Sequence, residues 1–311
     1  MKKHTTFSYN FQQNKNILPR TDLAYESIDT NAPANGTEYK EYDLCSLKVS
    51  ELKVISKEGE DATGRKKGNY ITLHCPVMRS LSEEEEFSIT DAVSSLLKDL
   101  TEKITEREIT SDTRVLIAGL GNRFISADSI GPRTADKITV TEHMQGTDHE
   151  KLFNLIGCSR ISAVHPGVMG QTGIEAVAMI KGAADYVKPH VIIAIDALAS
   201  RATDRLCSTV QLCDTGISPG SGIGNRRGAV CRETVGYPVI AVGVPTVVDC
   251  ATLVYDALTR AGVDKLDCDI DTALSKERAF FVSLKDSDIL SEEISTLLSC
   301  AINRTFNCEG L

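Results

Sequence analysis

From Arg114 onward the chain alternates short apolar runs with helix-forming stretches, and this alternation constrains the fold more than any other feature. Val115–Leu120 and Val191–Ile195 consist almost wholly of Val, Ile, Leu, Ala and Gly. Strands that are apolar on every residue are buried on both faces, as in a parallel sheet covered by helices on either side. The pattern predicts strands over 114–120, 161–164, 190–196, 208–213 and 238–244, with helices over 131–145, 172–183 and 246–261. Upstream, 51–55 and 69–73 alternate in polarity about a charged stretch, 57–67, and predict an antiparallel hairpin or sheet edge; 30–38 reads as a loop. Ser82 before Glu83, Glu84, Glu85 and Glu86 predicts a helix start, because serine caps and first-turn acids oppose the helix dipole; that helix runs to about 106. A closing amphipathic helix spans 286–304. The expected fold class is α/β, a mostly parallel sheet flanked by helices on both faces, with an N-terminal β-rich extension. Residues 1–22 are polar and rich in Asn and Gln, and read as an appendage to it.

Two carboxylates fall at the predicted strand ends. Asp128 follows the first apolar run by a short loop, and Asp196 closes Val191–Ile195. Ligands and chemistry collect beyond the carboxyl ends of parallel strands. Two neighbouring carboxyls do not both ionise easily, so one holds a proton while the other draws one from water, which suits amide hydrolysis. Each aspartate has a plainer reading: Asp128 as the cap of the next helix, whose first turn takes Pro132, and Asp196 as a desolvated acid satisfied within the core.

Composition removes several classes of function. A net charge of −9 argues against direct nucleic-acid binding, which needs Lys and Arg to meet phosphate. Ten cysteines without a C-x-x-C pair give no zinc ribbon or thioredoxin-type site, and free thiols in a reducing compartment are expected. There is no signal-peptide core and no run of about 18 apolar residues, so the expectation is a cytoplasmic protein without a membrane span.

Other motifs compete for attention. Gly119-Leu120-Gly121-Asn122 after a strand has the start of a dinucleotide loop, but Phe124 stands where the third glycine belongs, so a tight turn with close backbone approach is the better reading. Asp214-Thr215-Gly216 carries the triplet of pepsin-like proteases, which need two such triplets on all-β scaffolds; here Asp214 is kept only as a possible cleft residue. His165, also at a strand end, would join the aspartates if the site held zinc or nickel, although a satisfied loop histidine is the simpler reading. Gly220, Ser221 and Gly222 lie in a glycine-rich loop, 218–225, able to receive an extended peptide or an anion.

Taken together, Gly119–Asn122 with Asp128 and Gly131-Pro132, Pro166–Gly173, Ile195–Arg201, Asp214–Ile217, Pro219–Gly222 and Gly243–Asp249 resemble, in order, the germination proteases of spore-forming bacteria. The resemblance spans nearly the whole chain from about Arg20. It implies an atypical aspartic endopeptidase that degrades small acid-soluble spore proteins, with Asp128 and Asp196 catalytic and without a cofactor or metal. It also implies a fold similar to the hydrogenase maturation proteases, a homotetramer in the spore core, and a zymogen that removes its own N-terminal segment. Family substrates are cut after an acid and before an apolar residue followed by Ala, a pattern to which Thr21-Asp22-Leu23-Ala24-Tyr25-Glu26 is similar. The implied cut is Asp22–Leu23, with a propeptide over 1–22 and a single peptidase domain over 23–311. The alternatives are a metal-dependent relative using Asp128, Asp196 and His165, and a catalytically silent binding protein.

Overall fold

The computed structural model describes residues 20–147, 151, 155–220, 228–263, 273 and 280–309. Among them, nine strands form one sheet: β1 (Thr37–Leu44), β2 (Leu47–Val54), β3 (Gly68–His74), β4 (Arg114–Gly119), β5 (Arg160–Val164), β6 (Val191–Ser200), β7 (Thr209–Cys213), β8 (Val239–Asp249) and β9 (Phe281–Ser283). Their order is β1-β2-β3-β7-β8-β6-β4-β5, with β9 added along the end of β8. The pairs β5–β4, β4–β6 and β6–β8 are parallel, as the apolar runs required. From β8 through β7 to β1 every pair is antiparallel, so the sheet is mixed and its parallel half is the half that carries Asp196.

The helices are α1 (Lys57–Thr63), α2 (Glu83–Thr105), α3 (Ile130–Asp136), α4 (Met169–Thr172), α5 (Ala176–Val187), α6 (Arg232–Val235), α7 (Cys250–Arg260) and α8 (Ser287–Thr305). α2 starts where its caps say it should. The Ser82 hydroxyl accepts from Glu85 N–H (3.3 Å) while the Glu85 carboxylate accepts from Ser82 N–H (2.9 Å), satisfying two end donors reciprocally. α3 is half the predicted length, because beyond Lys137 tertiary partners take over the backbone: Thr139 N–H donates to the Asn303 side chain and Thr141 N–H to Ile161 C=O. The predicted 172–183 helix is broken by Gly173, held at φ +71°, into α4 and α5. Thr246–Asp249, expected to be helical, instead extends β8, and the Asp249 side chain caps α7 by accepting from Thr252 N–H. The charged stretch between β2 and β3 holds α1 rather than a simple turn.

The two faces of the sheet are buried differently. On one face, α2, α3 and α8 lay Leu97, Ile130, Leu298 and their neighbours against Ile117, Ile193, Val242 and Leu212 in a single continuous core. Each fully buried side chain of this kind contributes roughly 1.5–3 kcal/mol. The opposite face carries two separate clusters. One gathers Leu116, Ala118, Ile192 and Ala194 under α5, and the other gathers Leu52, Val54, Tyr70 and Ala241. Between them the sheet is left open.

Cys158, ahead of β5, and Cys308, just past α8, form a disulfide buried at 2% and 0% exposure. This corrects the expectation that the thiols are free. The two residues are 150 apart in sequence, so spacing along the chain carries no hint of the pairing.

Candidate active site

Asp196 does not end its strand. β6 runs on to Ser200, and Asp196 pairs with Gly243 of β8, while its other neighbour, β4, stops at Gly119 opposite Ile195. The last link on that side is Leu120 N–H donating to Ile195 C=O (2.8 Å). Asp196 therefore sits one residue past the end of β4, on a strand still held by β8, and is 4% exposed. Its Oδ1 accepts from Ala197 N–H (2.9 Å).

The chain that leaves β4 folds back over the strand ends and sets Asp128 in a turn against β6 and β8, outside the residues that line the cleft on the divided face of the sheet. Gly121 takes φ +111°, and a Cβ there would lie 2.2 Å from Asp128 C=O, so only glycine allows the loop to fold this tightly. Asn122 N–H donates to both the carbonyl and Oδ2 of Asp128, each at 2.9 Å. Two hydroxyls hold the turn from either side: Thr246 of β8 donates to Ala127 C=O and Ser291 of α8 to Ser126 C=O, both at 2.6 Å. The turn over Ser126–Asp128 touches both β6 and β8. α3 begins hard against the strand ends, where a Cβ on Gly131 would meet Leu120 C=O at 2.2 Å and Ile195 C=O at 2.5 Å. The glycines of Gly119–Asn122 thus serve close packing around Asp128. Asp128 is not the cap of α3; that position is Ser129, and no side chain caps there.

A cleft of about 810 Å³ opens on the divided face of the sheet. Its floor is Asp196, Leu198, Ala241, Gly243, Gln211 and Cys213, and its rim includes Arg65 and Arg201. Gln211, Gly243 and Asp196 are in register on three adjacent strands, so their side-chain positions share one face. Strands lie about 4.8 Å apart, which puts Gln211 and Asp196 roughly 10 Å apart across Gly243, whose missing side chain leaves room for that of Leu198. Cys213 does not supply a nucleophile, because burial raises its thiol pKa and keeps it protonated. Burial likewise pushes the Tyr70 hydroxyl up to about 12.

Arg20, Thr21, Asp22, Glu26 and Ser27 form part of the cleft wall, with Ala24–Ser27 in a 3-10 turn. Asp22 N–H donates to Ala199 C=O (2.8 Å) and Ala199 N–H donates to Asp22 Oδ2 (2.9 Å), on the edge of β6 that β4 vacates. Gln211 Nε2 donates to Asp22 C=O (3.1 Å), and its Oε1 accepts from Ala24 N–H (2.7 Å). Arg65 Nη2 donates to Thr21 C=O (2.9 Å) and Leu23 C=O (3.2 Å), and Leu23 is fully buried. The Glu26 carboxylate accepts from Arg201 N–H (2.7 Å) and Ala202 N–H (3.1 Å) as well as from the Thr21 hydroxyl. Desolvation raises its pKa above the ordinary 4.5 despite these donors and nearby Arg205.

The remaining sequence candidates fall elsewhere or at the margin. Asp214 does not line the cleft, although Thr215 and Gly216 do; its carboxylate accepts from the backbone (2.8 Å) and side-chain amides of Asn69. His165 is exposed, 3.2 Å from Asp136, and away from the cleft lining. Gly220 is on the cleft wall at φ +73°, whereas Ser221 and Gly222 lie outside the described residues. No group of three His, Cys, Asp or Glu placed to hold a metal occurs among the described residues. Sequence reasoning passed over Gln211, a lone amide in an apolar strand, and that polar exception was the available signal. It also passed over a Ser50–His74 contact of 2.8 Å. Arg205 offers only donors to His74 Nδ1 (2.8 Å), so Nε2 carries the proton and His74 cannot activate Ser50.

The germination protease family model matches residues 18–261. The chain belongs to the germination protease family. It is 37% identical to the germination protease of Caldanaerobacter subterraneus subsp. tengcongensis, over 86% of this chain and 79% of that one. Against the germination protease of Clostridium tetani the identity is 37%, over 91% of this chain and 94% of the relative. Against that of Bacillus subtilis strain 168 it is 39%, over 78% and 66%. Membership makes the chain a peptidase of spore germination. A solved NiFe hydrogenase maturation protease from Thermococcus kodakarensis KOD1 covers 67% of this chain and 99% of its own, at 13% identity and a TM-score of 0.33, too weak a likeness to carry an argument. No helix among the described residues is long and apolar enough to cross a membrane.

Proposed function

We propose that the protein is an endopeptidase of small acid-soluble spore proteins, made as a self-processing zymogen, in which Asp128 and Asp196 together activate water. The observation that carries this reading is the position of Asp22–Leu23. The bond that matches the family's cleavage pattern borders the cleft whose floor holds Asp196, just ahead of a 3-10 turn over Ala24–Ser27, and is hydrogen-bonded on both sides of Leu23. A peptide bond held in a fixed orientation beside a cleft that contains a buried carboxylate supports this reading, since orientation removes much of the entropic barrier to hydrolysis. In the proposed cycle one carboxylate takes a proton from water as it attacks the carbonyl carbon. The other, protonated, delivers its proton to the leaving amide nitrogen, and the pair titrates as a unit. Residues 1–22 are the proposed propeptide and 23–311 the peptidase domain, with a homotetramer in the spore core as the working assembly.

The test is to change Asp128→Asn and Asp196→Asn separately, then follow shortening of the chain and cleavage of a spore-protein peptide by mass spectrometry. Either change is expected to lower both rates at least 100-fold, the scale of a lost general acid or base. Undiminished cleavage by either variant overturns the two-aspartate mechanism. Shortening at a bond other than Asp22–Leu23 overturns the propeptide boundary.

A further inference from the structure

We propose that Thr246 is a positioning residue for the two-aspartate site, its hydroxyl holding the peptide unit that carries Asp128 at a fixed place relative to Asp196. The proposal rests on the preceding reading of Asp128 and Asp196 as the catalytic pair. β8 alternates regularly up to this point: Ile240, Val242 and Val244 enter the sealed core, and Gly243 lines the cleft. Thr246 continues the row of Ile240, Val242 and Val244, yet it is a polar side chain at 3% exposure where alternation calls for an apolar one. It is also the extra residue of a bulge. Leu198 of β6 pairs with Pro245 and Ala199 with Val247, so Thr246 stands opposite no residue of β6. Bulges are rare between parallel strands, and where they occur they bend the strand and re-aim a side chain. Pro245, with no N–H to give the ladder, suits the place before one.

The re-aimed hydroxyl donates to Ala127 C=O at 2.6 Å. That carbonyl and the N–H of Asp128 belong to one planar peptide unit, and the N–H donates to Ile125 C=O at 2.8 Å. With both ends tied, the plane that carries Asp128 cannot rotate without breaking a hydrogen bond. Asn122 N–H then fixes the carboxylate itself, at Oδ2. β8 is the common support of the pair, because Gly243, on the same strand as Thr246, is the ladder partner of Asp196. Ser291 holds the turn less exclusively. Its hydroxyl is also 2.6 Å from Ser287 C=O, and the Ser126 carbonyl that it meets accepts from the Ser129 hydroxyl (2.9 Å) and N–H (3.3 Å) as well. Among the described residues, Thr246 is the donor to Ala127 C=O.

The test compares full-length chains carrying Thr246→Ser, which keeps the hydroxyl, with Thr246→Val and Thr246→Ala, which remove it with and without keeping the bulk. Thermal unfolding of each chain is recorded first, and a variant that fails to fold leaves the other to be read. Self-shortening is timed, and kcat and KM are measured on the spore-protein peptide, at each pH where the chain stays folded. Loss of the hydroxyl is expected to lower kcat and the rate of self-shortening about tenfold or more with KM little changed, the pattern of a contact that serves the reacting groups rather than substrate binding. Two carboxyls held close titrate in widely separated steps, and the steps of a loosened pair lie nearer together. The bell-shaped pH dependence of kcat is therefore expected to narrow in the Val and Ala chains and to keep its width in Thr246→Ser, whereas a merely structural loss lowers the bell without narrowing it. Unchanged kcat in the Val and Ala chains, a fall without narrowing, or an equal fall in Thr246→Ser overturns the proposal. Failure of both to fold overturns it as well, because the hydroxyl is then structural. If Asp128→Asn is inactive in the same assay, any of these failures leaves the two-aspartate reading standing; full activity of Asp128→Asn removes that reading and this proposal with it.

Discussion

The two faces of the central sheet are made by the same strands, yet one is sealed and the other is divided. On the sealed face Ile193 and Ile195 of β6 and Val242 and Val244 of β8 meet three helices without interruption. On the divided face the same strands present Asp196 and Gly243, and the two flanking clusters of buried residues are joined only through the partly buried Ile217 among the described residues. Stability is thereby concentrated on one side and chemistry on the other. Alternation along a strand makes this separation possible, because neighbouring residues answer to different surroundings.

The contrast can be broken most forcefully from the sealed side. Leu298→Ala in α8 removes a fully buried side chain from the continuous core and should cost about 2–5 kcal/mol in thermal or denaturant unfolding, while the folded fraction shortens itself at the normal rate. A selective loss of cleavage without loss of stability would show that the faces are coupled. A smaller stability effect with a larger functional one is expected from Gly243→Ala. The added Cβ would sit 2.6 Å from the Leu198 side chain, costing about 1–3 kcal/mol while pushing Leu198 into the cleft between Gln211 and Asp196. Its rate of self-shortening should fall by more than its stability accounts for, as judged at a temperature where the variant is fully folded.

The smallest effect is a pH dependence confined to the divided face. The pKa of Glu26 is raised above 4.5 when the segment is docked, so the docked form binds more protons than the released one. Its contribution to docking is fully present below about 4.5 and is lost as pH rises through the docked value. Exchange protection of residues 20–26, corrected for intrinsic rates, should therefore decline with pH over that window while α8 stays protected. Glu26→Gln should flatten the decline, and a parallel decline in α8 would mean global loosening instead.

What could be read from the sequence was what local chemistry decides. α2 begins at Glu83 because Ser82 and Glu85 cap each other, and β4 and β6 declare themselves by apolar runs that need no partner to be recognised. Asp196 was visible as a single acid in such a run. Where distant partners decide, the pattern was silent. β1 carries four charges, Glu38, Lys40, Glu41 and Asp43, and holds its edge through Lys40–Glu51 and Lys48–Glu41 pairs across to β2, so its sequence does not declare a strand until β2 is beside it. The 131–145 helix stops early for Asn303 and Ile161, the Cys158–Cys308 bridge joins residues 150 apart in sequence, and Asp214 is claimed by Asn69 of β3. Gln211 became meaningful only once Asp22 and Ala24 were found on either side of it.

The docked segment and the strands beneath it belong to one molecule, and on the proposed self-processing this would set the kinetics of maturation. A bond already seated has a fixed local concentration, so self-shortening would be first order and equally fast in a dilute or a crowded compartment. Cleavage of a separate protein would depend on encounter and would wait for that seat to be vacated. The ordering of the two reactions in time is then a property of the tether, with no second enzyme needed to enforce it.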